Sequence, residues 1–176
     1  MRRVCLLTLL ACTLFAGTVN RSLIGAVEVG MNKRVEAMFP GDQQLLLGHT
    51  HGVYLEGFGC VFTTRINLAE GPGPSPFLPQ LPASARAALH KKKMERLPIL
   101  RAAMRDMLLT SAIMMDPVPA TEKMVLSVSL LHMPHEDVTG LPSQIVMQAP
   151  KKLLLGYIMD KPDRAALDAA IQVREY

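Results

Sequence analysis

Residues 57–68 read GFGCVFTTRINL, and this stretch decides the fold. Phe58, Cys60, Phe62, Ile66 and Leu68, with Thr64 among them, occupy one parity, while Gly59, Thr63, Arg65 and Asn67 occupy the other. Side chains of an extended strand point alternately to opposite faces, so this spelling sets one face on a core and leaves the other largely wet. Just upstream, the apolar residues of Val53-Tyr54-Leu55 fall on the opposite parity. The phase therefore flips between Leu55 and Phe58, as a bulge or tight turn at Glu56-Gly57 would make it, glycine being the residue that permits such backbone.

Working further upstream, residues 43–48 form a short apolar patch, and residues 22–39 place Leu23, Ile24, Val27, Met31, Val35 and Met38 at helical spacing. Glu28, Asn32, Lys33 and Glu36 fall on the opposite side, so an amphipathic helix is expected, ended by Pro40-Gly41-Asp42. Gly25, Gly30 and Lys33 do not make a phosphate loop, which needs Gly-Lys-Ser/Thr at the end of a strand.

Downstream, residues 69–82 (AEGPGPSPFLPQLP) hold five prolines and two glycines, too many for a regular element. A long loop of this kind is a candidate contact segment, with Phe77 as its aromatic. Residues 85–112 then read as a long helix capped by Ser84, with Leu89, Leu97, Leu100, Met104, Met107 and Leu108 as its buried stripe and a kink or restart at Pro98. Residues 124–131 (MVLSVSLL) and 143–149 alternate as strands, and the short polar link between them predicts antiparallel pairing. A helical segment from Pro150, a break near Lys161-Pro162, a resumed helix over 163–170 capped by Asp160 or Asp163, and a last strand at 171–174 complete the chain.

The order is helix, strand, helix, strand, strand, helix, strand. It predicts the α+β class: an antiparallel sheet of about four strands packed by helices. The succession matches a ferredoxin-like β-α-β-β-α-β sandwich with an extra N-terminal helix. At 176 residues the chain suits one domain, expected over residues 20–176. With 12 methionines and no tryptophan, the core is expected to be aliphatic and pliable.

Residues 1–19 read as an export signal, with a basic start at Arg2 and Arg3 and an apolar run from Val4 to Val19 too short to span a bilayer comfortably. Leu9-Leu10-Ala11-Cys12 offers an alternative, lipidation of Cys12 after processing. The net charge of +4 falls to +2 without Arg2 and Arg3, and no concentrated basic footprint for nucleic acid remains. Discounting Cys5 and Cys12 leaves Cys60, so no internal disulfide forms, and its place on the apolar parity reads as a buried hydrophobe.

His49 and His51 lie two apart, and His132 and His135 cluster with Glu136 and Asp137 at a strand end. Were their strands neighbours, the four histidines could converge on a metal, although the spacing matches no established metal motif. Glu136 and Asp137 themselves are expected on a solvated loop. Lys91, Lys92 and Lys93, with Arg86, Arg96, Arg101 and Arg105, give the long helix a basic flank suited to an anionic surface or an acidic partner. No nucleophile elbow, dinucleotide fingerprint or haem motif occurs. The expectation is thus an exported, periplasmic or secreted, non-catalytic interaction module of the cell envelope. It needs no cofactor and meets another envelope protein or an anionic membrane through Lys91–Lys93 and Phe77. The alternatives are a metal-dependent hydrolase using the four histidines and a lipid-anchored envelope component.

Overall fold

The computed structural model describes residues 18–40, 45–71, 81–159 and 164–176. Cys12, Phe77, Asp160, Asp163, the Lys161-Pro162 break and most of the proline-rich loop lie outside the described residues. In chain order the elements are α1 (Arg21–Met38), β1 (His51–Leu55), β2 (Gly59–Ile66), α2 (Ala83–Met114), β3 (Lys123–Leu130), β4 (Gln144–Pro150), α3 (Lys151–Met159), α4 (Arg164–Ala170) and β5 (Gln172–Glu175).

The expected α+β class holds, and two details of the sheet differ. It has five strands in the order β1-β2-β3-β4-β5, and it is mixed rather than purely antiparallel. β2 runs parallel to β3, whereas β1–β2, β3–β4 and β4–β5 are antiparallel. The reason lies in the connections. A tight turn returns β2 alongside β1 and a helix-free link returns β4 alongside β3, whereas α2 carries the chain back along the sheet before β3 begins; α3 and α4 together bring β5 in antiparallel to β4. The ferredoxin-like arrangement is not confirmed. Its β-α-β unit is split by an intervening strand, and here β2 and β3 pair directly, Phe62 opposite Leu126 and Ile66 opposite Leu130.

The parity of β2 comes out as spelled, with Cys60, Phe62, Thr64, Ile66 and Leu68 buried. Phe58 is the exception: it sits in the turn before β2, 41% exposed, with the Lys123 ammonium 5.7 Å from its ring centroid. The flip between β1 and β2 is a hairpin turn in which Gly57 (φ 79°) and Gly59 (φ 128°) take left-handed backbone. Leu45 to Leu47 run beside the end of β2, with Leu47 N–H donating to Arg65 O and Asn67 N–H to Leu45 O, both at 2.8 Å.

Every described helix feeds one apolar cluster on one face of the sheet. Ile24, Val27, Met31 and Val35 of α1, the whole expected stripe of α2 except the satellite Leu89, Leu154 of α3 and Leu167 of α4 meet Cys60, Phe62, Met124, Leu126, Ile145 and Met147 there. α1 is capped by Asn20, whose Oδ1 accepts from Leu23 N–H at 2.8 Å. α2 begins two residues earlier than expected, at Ala83. Its cap is Pro82, not Ser84, and the helix runs on through Pro98. Its missing N–H weakens one turn, and tertiary packing on both sides carries the helix across.

Candidate functional site

The opposite face of the sheet carries no described helix. Pairing register aligns its residues in rows: His51, Thr63, Ser127, Val146 and Arg174; Val53, Val61, Val125, Gln148 and Gln172; Arg65, Ser129 and Gln144; and Leu55, Gly59 and Lys123. Among the described residues no acidic side chain occupies an outward strand position, while Arg65, Lys123 and Arg174 are exposed cations. Val53 and Leu55, both 48% exposed, make an apolar margin on β1. Gln144 Nε2 donates to Ser127 Oγ at 2.8 Å across the middle of the face, and Gln148 Nε2 to Gln172 Oε1 at 2.9 Å.

At one end of this face lies a hollow of about 230 Å³, lined by Gly48, His49, His51, Thr63, Arg65 and Ser129. Gly48 has positive φ (91°), which turns the chain so that His49 comes up beside β2. His51 opens β1 opposite Thr63, and Arg65 stands opposite Ser129. The side chains of His49, His51 and Arg65 make no hydrogen bond or ion pair to the described residues. The Thr63 hydroxyl donates only a long bond, 3.4 Å, to His51 O. The hollow therefore presents unspent donors and no carboxylate.

The neighbouring β1 edge of the sheet is covered at Gly52. Glu28, expected on the wet side of α1, is buried instead: its Oε1 accepts from Gly52 N–H at 2.7 Å, and Arg21 grips both its oxygens at 2.7 Å while donating to Gly52 O at 3.2 Å. One ion pair thus satisfies the outward N–H and C=O of Gly52, which blunts the β1 edge at that residue against pairing with another strand. Burial pushes the Glu28 carboxyl up, but the Arg21 and Gly52 hydrogen bonds and the charges of Arg21 and His51 together hold it below the ordinary glutamate range.

The four histidines do not gather. His49 and His51 share the hollow, whereas His132, at the end of β3, has Nε2 on Pro142 O at 2.9 Å and Nδ1 3.8 Å from Glu136 Oε2. His135 lies in the turn beyond, and among the described residues no three His, Cys, Asp or Glu side chains come close enough to hold a metal. Glu136, expected on a solvated loop, instead has its side chain buried in an ion pair with Lys93, while Asp137 is exposed as expected.

That pair also divides the basic flank. Lys93 is fully buried, Lys91 is exposed beside Glu95, and Lys92 is half-buried. Arg96 donates to Leu68 O and stacks on Phe39, Arg101 grips Glu175 with two bonds of 2.7 Å, and Arg105 pairs with Asp168. Much of the charge on α2 is therefore used in holding α2 to the rest of the fold.

At the other end of the sheet the buried polar groups are structural. Lys151 donates to Met115 O, Asp116 O and Val118 O at 2.7–2.9 Å, tying the end of α2 to the start of α3, and its burial pushes the ammonium below the usual lysine range. Glu122 Oε1 accepts from Gly57 N–H at 2.9 Å and from the Tyr54 hydroxyl at 3.3 Å, pinning the hairpin tip.

No protein-family model, curated protein or solved structure matches this chain. No helix of the described residues is long and apolar enough to cross a membrane. The residues overlooked in the sequence are Arg65, Lys123 and Arg174. The wet parity of residues 57–68 already held Arg65 beside Thr63, but its alignment with the other two needed the strand register.

Proposed function

We propose that this protein is an exported, non-catalytic binding module of the cell envelope that docks an acidic partner protein on the open face of its sheet. The observation that carries the reading is the composition of that face: Arg65, Lys123 and Arg174, with His49 and His51 at one end and no acidic strand residue among those described. Such a field attracts an acidic surface and lowers the cost of matching it. A polypeptide partner is favoured over fluid lipid head groups because Thr63, Ser129, Gln144 and Gln148 offer directional hydrogen bonds between the cations. Export rests on the basic start and apolar run of residues 1–19. The non-catalytic character is supported by the burial of the groups best suited to chemistry, Cys60, Glu136 and Lys93.

The test uses polyglutamate as the acidic probe and phosphatidylglycerol vesicles as the membrane probe, with full-length protein at two salt concentrations. Polyglutamate should bind, weaken with salt and lose at least tenfold in affinity in the Lys123→Glu, Arg174→Glu double variant, checked for folding by circular dichroism. Equal binding by the folded variant, or binding to vesicles alone, would overturn the reading. Mass spectrometry of the mature N-terminus after expression in a secreting host tests export and shows whether Cys12 is acylated; an intact Met1 would remove both.

A further inference from the structure

The hollow beside β1 differs from the rest of the open face in its density of donors. His49 and His51 arrive from one side, Thr63 and Arg65 form its floor on β2, and Ser129 closes it from β3. An arginine fork supplies paired N–H donors, and each imidazole and hydroxyl supplies at least one more. That is more than the roughly four acceptor positions of a carboxylate can use, but it suits a tetrahedral oxyanion, whose several oxygens each accept more than one bond. The volume of about 230 Å³ admits one such group with its attachment, not a nucleotide or a sugar chain.

Glu28, the acid that acts on His51, is already held by Arg21 and by Gly52 N–H, so it does not compete for the hollow.

We infer that this hollow is a binding site for a single phosphoryl group, held by Arg65, His49 and His51 with the Thr63 and Ser129 hydroxyls. The site deepens the proposed function and rests on it in one respect: the phosphoryl group is the anchor by which a ligand is fixed at one end of the docking face. Its chemistry is shared by free phosphate and by a phosphomonoester lipid head group, and the two sources are separated experimentally.

The experiment is titration of the isotopically labelled full-length protein with inorganic phosphate, followed by amide chemical shifts, with acetate as the carboxylate control and phosphatidic acid vesicles as the lipid arm. Phosphate should shift Gly48, His49, His51, Arg65 and Ser129 together. Acetate should bind at least tenfold more weakly. Arg65→Gln and the His49→Gln, His51→Gln double variant, all at exposed positions, should each lose at least tenfold in phosphate affinity. Binding to vesicles but not to phosphate would assign the site to a lipid head group. Absence of shifts with phosphate and vesicles alike, shifts confined to another part of the chain, or undiminished affinity in both variants would overturn the site. Polyglutamate binding that still depends on Lys123 and Arg174 would then leave the docking face standing without it.

Discussion

Lys93 of α2 and Glu136, in the turn after β3, form a buried ion pair, their side chains 1% and 5% exposed. The ammonium also donates to Leu131 O at 3.2 Å, so it fastens α2 to the end of β3 from within. Removing one partner strands a charge in a medium that solvates it poorly, at a cost of about 3–5 kcal/mol. Lys93→Ala should lower the urea-unfolding free energy by that amount, and Lys93→Met with Glu136→Leu should recover most of it. Lys91→Ala should change stability by less than about 0.5 kcal/mol, since an exposed i,i+4 pair contributes little. Equal effects of the two alanine variants would contradict this division of labour.

The same lysine shows what could be read in the sequence and what could not. Leu89, Lys93, Leu97 and Leu100 follow one helical stripe, so the burial of position 93 was legible in the spacing. The charge masked it, because its counterion is 43 residues further on and pairs only once β3 is in place. Local alternation likewise made β2 and β3 legible, and the short link made the β3–β4 pairing legible. The parallel pairing of β2 with β3 and the alignment of Arg65, Lys123 and Arg174 depend on register across the sheet, which no local pattern encodes. For the same reason His49 and His51 could be seen as a pair, while their company with Arg65 rather than with His132 could not.

Gly59 is held by two constraints. Its φ is 128°, and a Cβ built there would lie 1.9 Å from Lys123 O, inside backbone that cannot give way. Gly57 has positive φ as well, 79°, but open space around it. Gly57→Ala should therefore cost about 1–2 kcal/mol, the price of left-handed backbone in a residue with a side chain. Gly59→Ala should cost more than about 3 kcal/mol, because β2 must also pull away from β3. Chemical denaturation of the two variants side by side is the check, and a Gly59→Ala protein as stable as Gly57→Ala would show that the hairpin shifts freely.

Glu28 ties acid stability to the edge of the sheet. Its carboxyl in the folded protein lies below the ordinary glutamate range, so the folded state holds its negative charge at a pH where the unfolded chain has begun to take up a proton. The resulting stability is present above the unfolded value and is lost as pH falls through the folded one. Glu28→Gln should flatten the decline of stability below about pH 4.5. It should also cost about 1–3 kcal/mol at neutral pH, as Gly52 N–H and Arg21 lose their charged acceptor. Hydrogen exchange should speed up at Gly52 in the variant while the β3–β4 pairing stays protected; uniform acceleration would point to global destabilisation.

Cys60 works in the opposite direction at alkaline pH. Its thiol is fully buried at the start of β2 and is pushed up to about 11, first by burial and then by the charge of Glu122, against a smaller opposing pull from Lys151. In the unfolded chain a thiol ionises near pH 8.5. Between those values the unfolded state binds fewer protons than the folded state, so stability is complete below the first value and is lost as pH rises through the second. At about 1.4 kcal/mol per pH unit, this window weakens the fold by about 3 kcal/mol. Cys60→Ala should therefore unfold with a shallower pH dependence between pH 9 and 11, even though it is less stable at pH 7 because of the small void it leaves. In the native protein the thiol should resist a disulfide reagent at pH 8 and react at once in denaturant. Rapid reaction without denaturant would mean that β2 opens far more readily than its burial implies.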